Sequence, residues 1–134
     1  MNKTESVAVS AGQVTREDAQ QMAKVTIYHN ARCSKSRETL KLLKEQGIEP
    51  EVVEYLKTPP DTATLSRLVK QLGVEPASLI RQKEYRALGL PATDDPQTLL
   101  ERMQQHPEII ERPIVVSGKQ ARLGRPPENV LEIV

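Results

Sequence analysis

Residues 25–37 read Val-Thr-Ile-Tyr-His-Asn-Ala-Arg-Cys-Ser-Lys-Ser-Arg, and this stretch decides the fold. Val25-Thr26-Ile27-Tyr28 is β-branched and aromatic, the composition of a short buried strand. His29 to Cys33 follows as a loop. Ser34 to Gln46 (SKSRETLKLLKEQ) then carries a helical pattern, with Leu40 and Leu43 three apart and Gly47 as its stop. A strand handing over to a helix this quickly places Cys33 at the helix N-terminus. There the unpaired amides and the positive end of the helix dipole favour an anion.

Outward from this unit, Glu51 to Tyr55 reads as a second strand. Pro59-Pro60-Asp61 breaks the chain, and Thr64 to Leu72 resumes as a helix with Leu65, Leu68, Val69 and Leu72 on one stripe. Pro76 to Tyr85 predicts a further short helix. Another runs over Pro96 to Gln105, opened by Thr93-Asp94-Asp95-Pro96 and stopped before Pro107. The period then returns to strands, with Pro113 to Val116, a Ser117-Gly118 turn, and a hairpin partner over Lys119 to Leu123. Pro126-Pro127-Glu128 opens a final helix carrying Val130, Leu131 and Ile133. The order βαβ, helices, ββα suits an α/β domain with a small mixed β-sheet flanked by helices, of which the thioredoxin-like fold is the best-known version. Residues 61–106 are then a helical insertion. The domain spans 22–134. Residues 1–21 alternate small, polar and charged side chains without a period and read as a flexible N-terminal tail.

The 134 residues are enough for one domain with its own core. Trp and Phe are absent and Tyr28, Tyr55 and Tyr85 are the only aromatics, so Leu, Ile and Val must fill that core. Lys plus Arg is 19 against 18 for Asp plus Glu, a net charge of +1. So few rings and so little excess charge argue against a nucleic-acid partner, which needs basic grooves with stacking aromatics. No apolar run approaches ~18 residues, so no membrane span is expected. The first residues lack the apolar stretch of a secretory signal, which makes the cytoplasm the expected compartment. Nothing suggests an extensive apolar interface, and a monomer is expected.

Cys33 is the only cysteine, so no internal disulfide can form. With only His29 and His106 beside it, no metal site has a recognisable ligand spacing. An ordinary thiol of pKa ~8.5 is only about 3% thiolate at pH 7, and lowering it by two units makes roughly three-quarters thiolate at a cost of about 2.7 kcal/mol. A helix terminus with Arg32, Lys35 and Arg37 nearby is a source for that energy. The polar flanks also predict an exposed thiol rather than a buried one. A phosphatase-type loop needs Arg six positions after the cysteine, where Thr39 stands, so that chemistry is excluded. Ser36 occupies the place of the second cysteine in dithiol motifs. Any redox cycle at Cys33 must therefore draw its resolving thiol from another molecule. Arg81, Arg112 and Arg125 are further candidates, because guanidinium groups recognise tetrahedral oxyanions through paired hydrogen bonds. Taken singly, each is as readily a solvated surface charge, and periodicity does not make them converge.

His29-Asn30-Ala31-Arg32-Cys33-Ser34-Lys35-Ser36-Arg37 resembles the His-x3-Cys-x3-Arg motif of the glutaredoxin-coupled arsenate reductase (ArsC) family. The likeness continues through Tyr55 to Pro60, Leu79-Ile80-Arg81, Gln105-His106-Pro107, Glu111 to Val116 and Ala121 to Pro126. It covers essentially Val25 to the C-terminus. The resemblance implies a thioredoxin-like fold and the reduction of arsenate to arsenite. It matches Cys33 to the nucleophile, and Arg81, Arg112 and Arg125 to three oxyanion-binding arginines. His29 and Arg37 match residues that support the thiolate. Glutathione as co-substrate and glutaredoxin as partner are likewise implied, with no bound cofactor. By analogy with other thioredoxin-like domains, the Arg112–Pro113 bond is expected to be cis. Arg32 before the cysteine and Ser34-Lys35 after it depart from the small neutral residues of the better-characterised reductases. They match an ArsC-like branch whose members need not act in arsenic resistance.

Two other readings stay open on the sequence. One is a glutathione-dependent thiol transferase or reductase on the same fold, which does not need three arginines on one anion. The other is a regulator like Spx, which binds RNA polymerase. Its usual Cys-x-x-Cys switch is broken here by Ser36. The tail reading has a direct check. A chain beginning at Met22 should fold with the same urea midpoint as the full chain, and loss of cooperative unfolding would overturn it.

Overall fold

Along β1 (Val25–His29) buried and half-buried residues alternate, and this alternation determines which helices cover which face. Val25 and Ile27 point one way. They pack with Val115, with Leu43 of α1 (Ser34–Glu45) and with Val130 of the C-terminal 3-10 turn (Pro127–Glu132). Tyr28 points the other way, into the larger core. The computed structural model describes residues 24–134. The tail reading of residues 1–21 lies outside them.

The sheet has four strands in the order β2–β1–β3–β4, where β2 is Glu51–Glu54, β3 is Ile114–Ser117 and β4 is Gln120–Leu123. β1 pairs parallel to β2 and antiparallel to β3, and β3 and β4 form the expected hairpin. This is the mixed sheet with helices on both faces read from the order of elements. The insertion supplies the larger core. Leu65, Leu68 and Val69 of α2 (Thr62–Leu72) meet Leu99, Leu100 and Met103 of α4 (Pro96–Gln105) over Ile114 and Ala121. The predicted stripe of α2 is thus its buried face. That helix starts at Thr62 rather than Thr64, because the Asp61 side chain accepts from the Thr64 amide at 2.8 Å and caps it.

Two segments differ from the sequence reading. The single helix expected over Pro76 to Tyr85 is a 3-10 turn (Pro76–Leu79) and a separate α3 (Gln82–Ala87), with Ile80 and Arg81 extended between them. Ile80 forms a β-bridge with Ile110; the Arg81 amide donates to the Ile109 carbonyl at 2.7 Å and the Glu111 amide to the Leu79 carbonyl at 2.8 Å. A non-local pairing has overridden local helical preference. The last helix is a 3-10 turn, since six residues are too few to recover the cost of α-helix nucleation.

The loop that closes the site also depends on Gly124. Its amide donates to the Pro113 carbonyl at 2.9 Å, and Thr39 of α1 lies against it. A Cβ there would press into Thr39 Oγ1 and come within 2.9 Å of Pro113 Cγ. Gly124→Ala should therefore lower the free energy of unfolding by about 1–3 kcal/mol, as overpacking does. A urea titration reads this directly, and an unchanged midpoint would show that the loop yields.

Candidate active site

Cys33 is the N-cap of α1, with extended backbone at φ −94° and ψ 123°. Its own amide donates to the Asn30 carbonyl at 3.0 Å and its carbonyl accepts from the Arg37 amide at 3.0 Å, which fixes the cysteine at the helix start. The Asn30 side chain accepts from the Arg32 amide at 2.9 Å, and Arg37 Nη1 donates to the Ala31 carbonyl at 3.0 Å. Arg37 thus braces the loop from one turn up the helix.

The exposed thiol expected from the polar flanks is not observed. Cys33 is buried, at 8% exposure. Arg32, Lys35 and Arg37 are exposed, with Arg37 on the Ala31 carbonyl and Lys35 3.7 Å from Glu38. The covering groups come from elsewhere in the chain. Arg125 Nη2 lies 3.8 Å from the sulfur, and Arg125 Nε donates to the Arg112 carbonyl at 2.7 Å. Burial pushes the thiol up. The Ser36 amide, the Arg112 guanidinium through hydrogen bond and charge, and the Lys35 amide together outweigh it and hold the thiol below its ordinary value. The helix terminus acts as expected, but Arg112 supplies the neighbouring charge.

His29 makes no hydrogen bond to the sulfur among the described residues. Its Nδ1 lies 2.6 Å from Ser36 Oγ, and that hydroxyl also accepts from the Asn30 amide at 3.0 Å. Burial lowers the His29 pKa, Glu54 opposes this, and Arg37 and Lys44 add to it. The imidazole is therefore biased toward its neutral form. It anchors the first turn of α1, whose Ser36 amide favours the thiolate. Ser36 is read in the sequence only as a missing cysteine, and its part in the site depends on facing His29 across the loop.

Arg81 and Arg125 meet on one carboxylate. Glu111 Oε1 lies 3.1 Å from Arg81 Nη1 and 3.3 Å from Arg125 Nε. Glu84 holds the other edge of Arg81, with Oε2 3.3 Å from Nη2 and Oε1 3.1 Å from Nε, the latter off the hydrogen-bond line. Arg112 pairs with no carboxylate among the described residues, and its Nε is buried without a partner. The three arginines are thus gathered from the insertion, the segment just before β3 and the segment just after β4. Both Arg112–Pro113 and Arg125–Pro126 are cis, the first as expected. Nothing in the sequence marks Glu84 off from other acids, and Glu111 stands out only as the first residue of the Glu111–Val116 likeness, with no role attached. Among the described residues no group of three metal-ligating side chains occurs, and no helix is long and apolar enough to cross a membrane.

Comparison with known proteins places this geometry in context. The family model described as ArsC family matches residues 28–133. The chain is 58% identical over 114 residues to the uncharacterized protein YfgD of Escherichia coli (strain K12), covering 82% of this chain and 96% of that one. It is 45% identical over 113 residues to an arsenate reductase of Neisseria meningitidis, covering 81% and 97%. Among solved structures, an arsenate reductase from Vibrio cholerae superposes with a TM-score of 0.75 at 50% identity, covering 84% of this chain and 98% of that one.

The electrostatics of Cys33 predict a pH profile. Only the thiolate alkylates, so the rate of reaction with iodoacetamide should rise with pH and level off below the range of an ordinary cysteine. Arg112→Ala should move that inflection upward, because burial is then less opposed. An inflection at the ordinary value in the wild type, or none moved by Arg112→Ala, would contradict the assignment.

Proposed function

The chain belongs to the ArsC family, and from that membership and the site geometry we propose that it is an arsenate reductase that works with glutathione and glutaredoxin. The observation that carries this reading is the meeting of Arg112 and Arg125 on a helix-capping thiol held below its ordinary pKa. A lone nucleophile under guanidinium groups suits a tetrahedral oxyanion, whose oxygens accept paired N–H donors while its central atom faces the sulfur.

Arsenate enters as substrate beside Arg112, Arg125 and Arg81. The Cys33 thiolate attacks arsenic, an S–As bond forms, and an arsenate oxygen leaves as water after protonation. Glutathione thiol displaces a second oxygen in the same way, since Cys33 is the only cysteine and cannot be resolved within the chain. A glutaredoxin thiolate then attacks the glutathione sulfur. That sulfur and the glutaredoxin sulfur become a mixed disulfide, and the two electrons pass to arsenic, which becomes As(III). Water releases arsenite and restores the Cys33 thiol. A hollow of about 570 Å³ beside His29, lined by Arg37, Lys41 and Lys44, supports the glutathione assignment. Its three cations suit the two carboxylates of the tripeptide, and Ala31, Leu40 and Glu45 complete the wall.

In this scheme Cys33 is the catalytic nucleophile. His29 and Arg37 are positioning residues that act through Ser36 and the Ala31 carbonyl. Arsenate-dependent NADPH oxidation, coupled through glutathione reductase in the presence of glutathione and glutaredoxin, tests the reading. Wild type should turn over and Cys33→Ser should lose essentially all activity while still binding oxyanions. A silent wild type that instead reduces a glutathione mixed disulfide would replace arsenate reduction with thiol transfer.

A further inference from the structure

The most unusual feature of the site is that two of its three arginines are already spoken for by a carboxylate. Glu111 Oε1 spans Arg81 Nη1 and Arg125 Nε, and the Nε edge of Arg125 is continuous with the Nη2 that faces Cys33 Sγ. A tetrahedral oxyanion seated over the sulfur draws on the same two charges and on the Arg81 Nη1 donor, whereas the single Nε–H of Arg125 goes to the Arg112 carbonyl. The side chains of Arg81 and Glu111 are 22% and 25% exposed, so the pair is partly shielded from water and screened less than a surface pair. Glu84 grips Arg81 from the opposite edge and keeps it in place whether or not Glu111 stays.

We propose that the Glu111 carboxylate is a built-in competitor for the oxyanion seat between Arg81 and Arg125, and that an entering anion must displace it. The inference rests on the oxyanion-site reading given above. Its consequence is a site that binds tetrahedral oxyanions weakly by charge alone. That displacement costs arsenate, phosphate and sulfate alike, so Glu111 sets how much oxyanion is needed before the seat fills.

The test uses the full chain and inorganic phosphate, with protection of Cys33 against iodoacetamide as the readout. Each rate is normalised to the same protein without phosphate, so that a changed thiol pKa does not enter. Glu111→Gln keeps the size and an acceptor oxygen but removes the charge. Half-protection should then need about three- to tenfold less phosphate than in the wild type, the scale of one partly exposed ion pair. Glu111→Asp keeps the charge but is one methylene too short to span both arginines, and should fall between the two. It decides the matter if the glutamine variant does not fold. Unchanged or weaker protection in these variants, or no protection in any of the proteins, overturns the inference. Arsenate turnover by the wild type is measured separately. A protein silent toward arsenate whose phosphate protection still shifts with Glu111→Gln keeps the carboxylate competitor and loses the substrate assignment.

Discussion

The pairing of residues 79–81 with 109–111 is the constraint on which the site depends. Two short backbone hydrogen bonds, from the Arg81 amide to Ile109 and from the Glu111 amide to Leu79, stitch the helical insertion to the segment that leads into β3. Ile80 and Ile110 are both buried and anchor this bridge in the larger core. Because the bridge is extended, the side chains on either side of it emerge together. Arg81 on one segment thus faces Glu111 on the other, next in sequence to Arg112. Without the bridge the insertion could pack its apolar stripe on the sheet and still leave Arg81 in solvent.

From that juxtaposition follows the charge balance of the site. Three guanidiniums against the carboxylates of Glu84 and Glu111 leave one net positive charge, and ionisation of Cys33 cancels it. Gathering three unpaired arginines around a buried sulfur would be opposed by mutual repulsion and by desolvation. The two carboxylates relieve both, and they do so on Arg81 and Arg125. Arg112 is left to act on the thiol. The division of labour is visible in the contacts: Arg112 lowers the Cys33 pKa, while Arg81 Nη1 donates to Glu111 and Arg125 Nε to the Arg112 carbonyl.

The burial of Cys33 has the same origin. A thiol at a helix N-terminus is ordinarily open to water on the side away from the helix. Here Arg125 and the loop at Gly124 close that side, and Gly124 is the residue that lets the loop approach Thr39 of α1. Burial raises a thiol pKa, so the cover must be cationic or rich in donors to keep the thiolate accessible. A basic cover over a basic-flanked helix start also explains why local sequence misleads. Arg32, Lys35 and Arg37 look like the activating charges, yet they serve the loop and the solvent-facing side of α1.

Much of this protein was legible in the sequence, because strand and helix periodicity are local properties of the chain. The β1–loop–α1 unit, the hairpin after Pro113, the stripe of α2 and the place of Cys33 at a helix terminus all follow from residues within one turn or one strand of each other. The resemblance through Val25–Arg37 and the later arginine motifs added the family, and the family model agrees. What only the tertiary structure decided are contacts between residues far apart in sequence. The break at Ile80 and Arg81 depends on a partner near residue 110, and the sharing of Glu111 by Arg81 and Arg125 depends on that break. The sequence by itself determined which residues could carry charge and chemistry. The fold determined which of those charges meet, since an ion pair or a cover over a thiol is set by distance in space, and distance along the chain does not encode it.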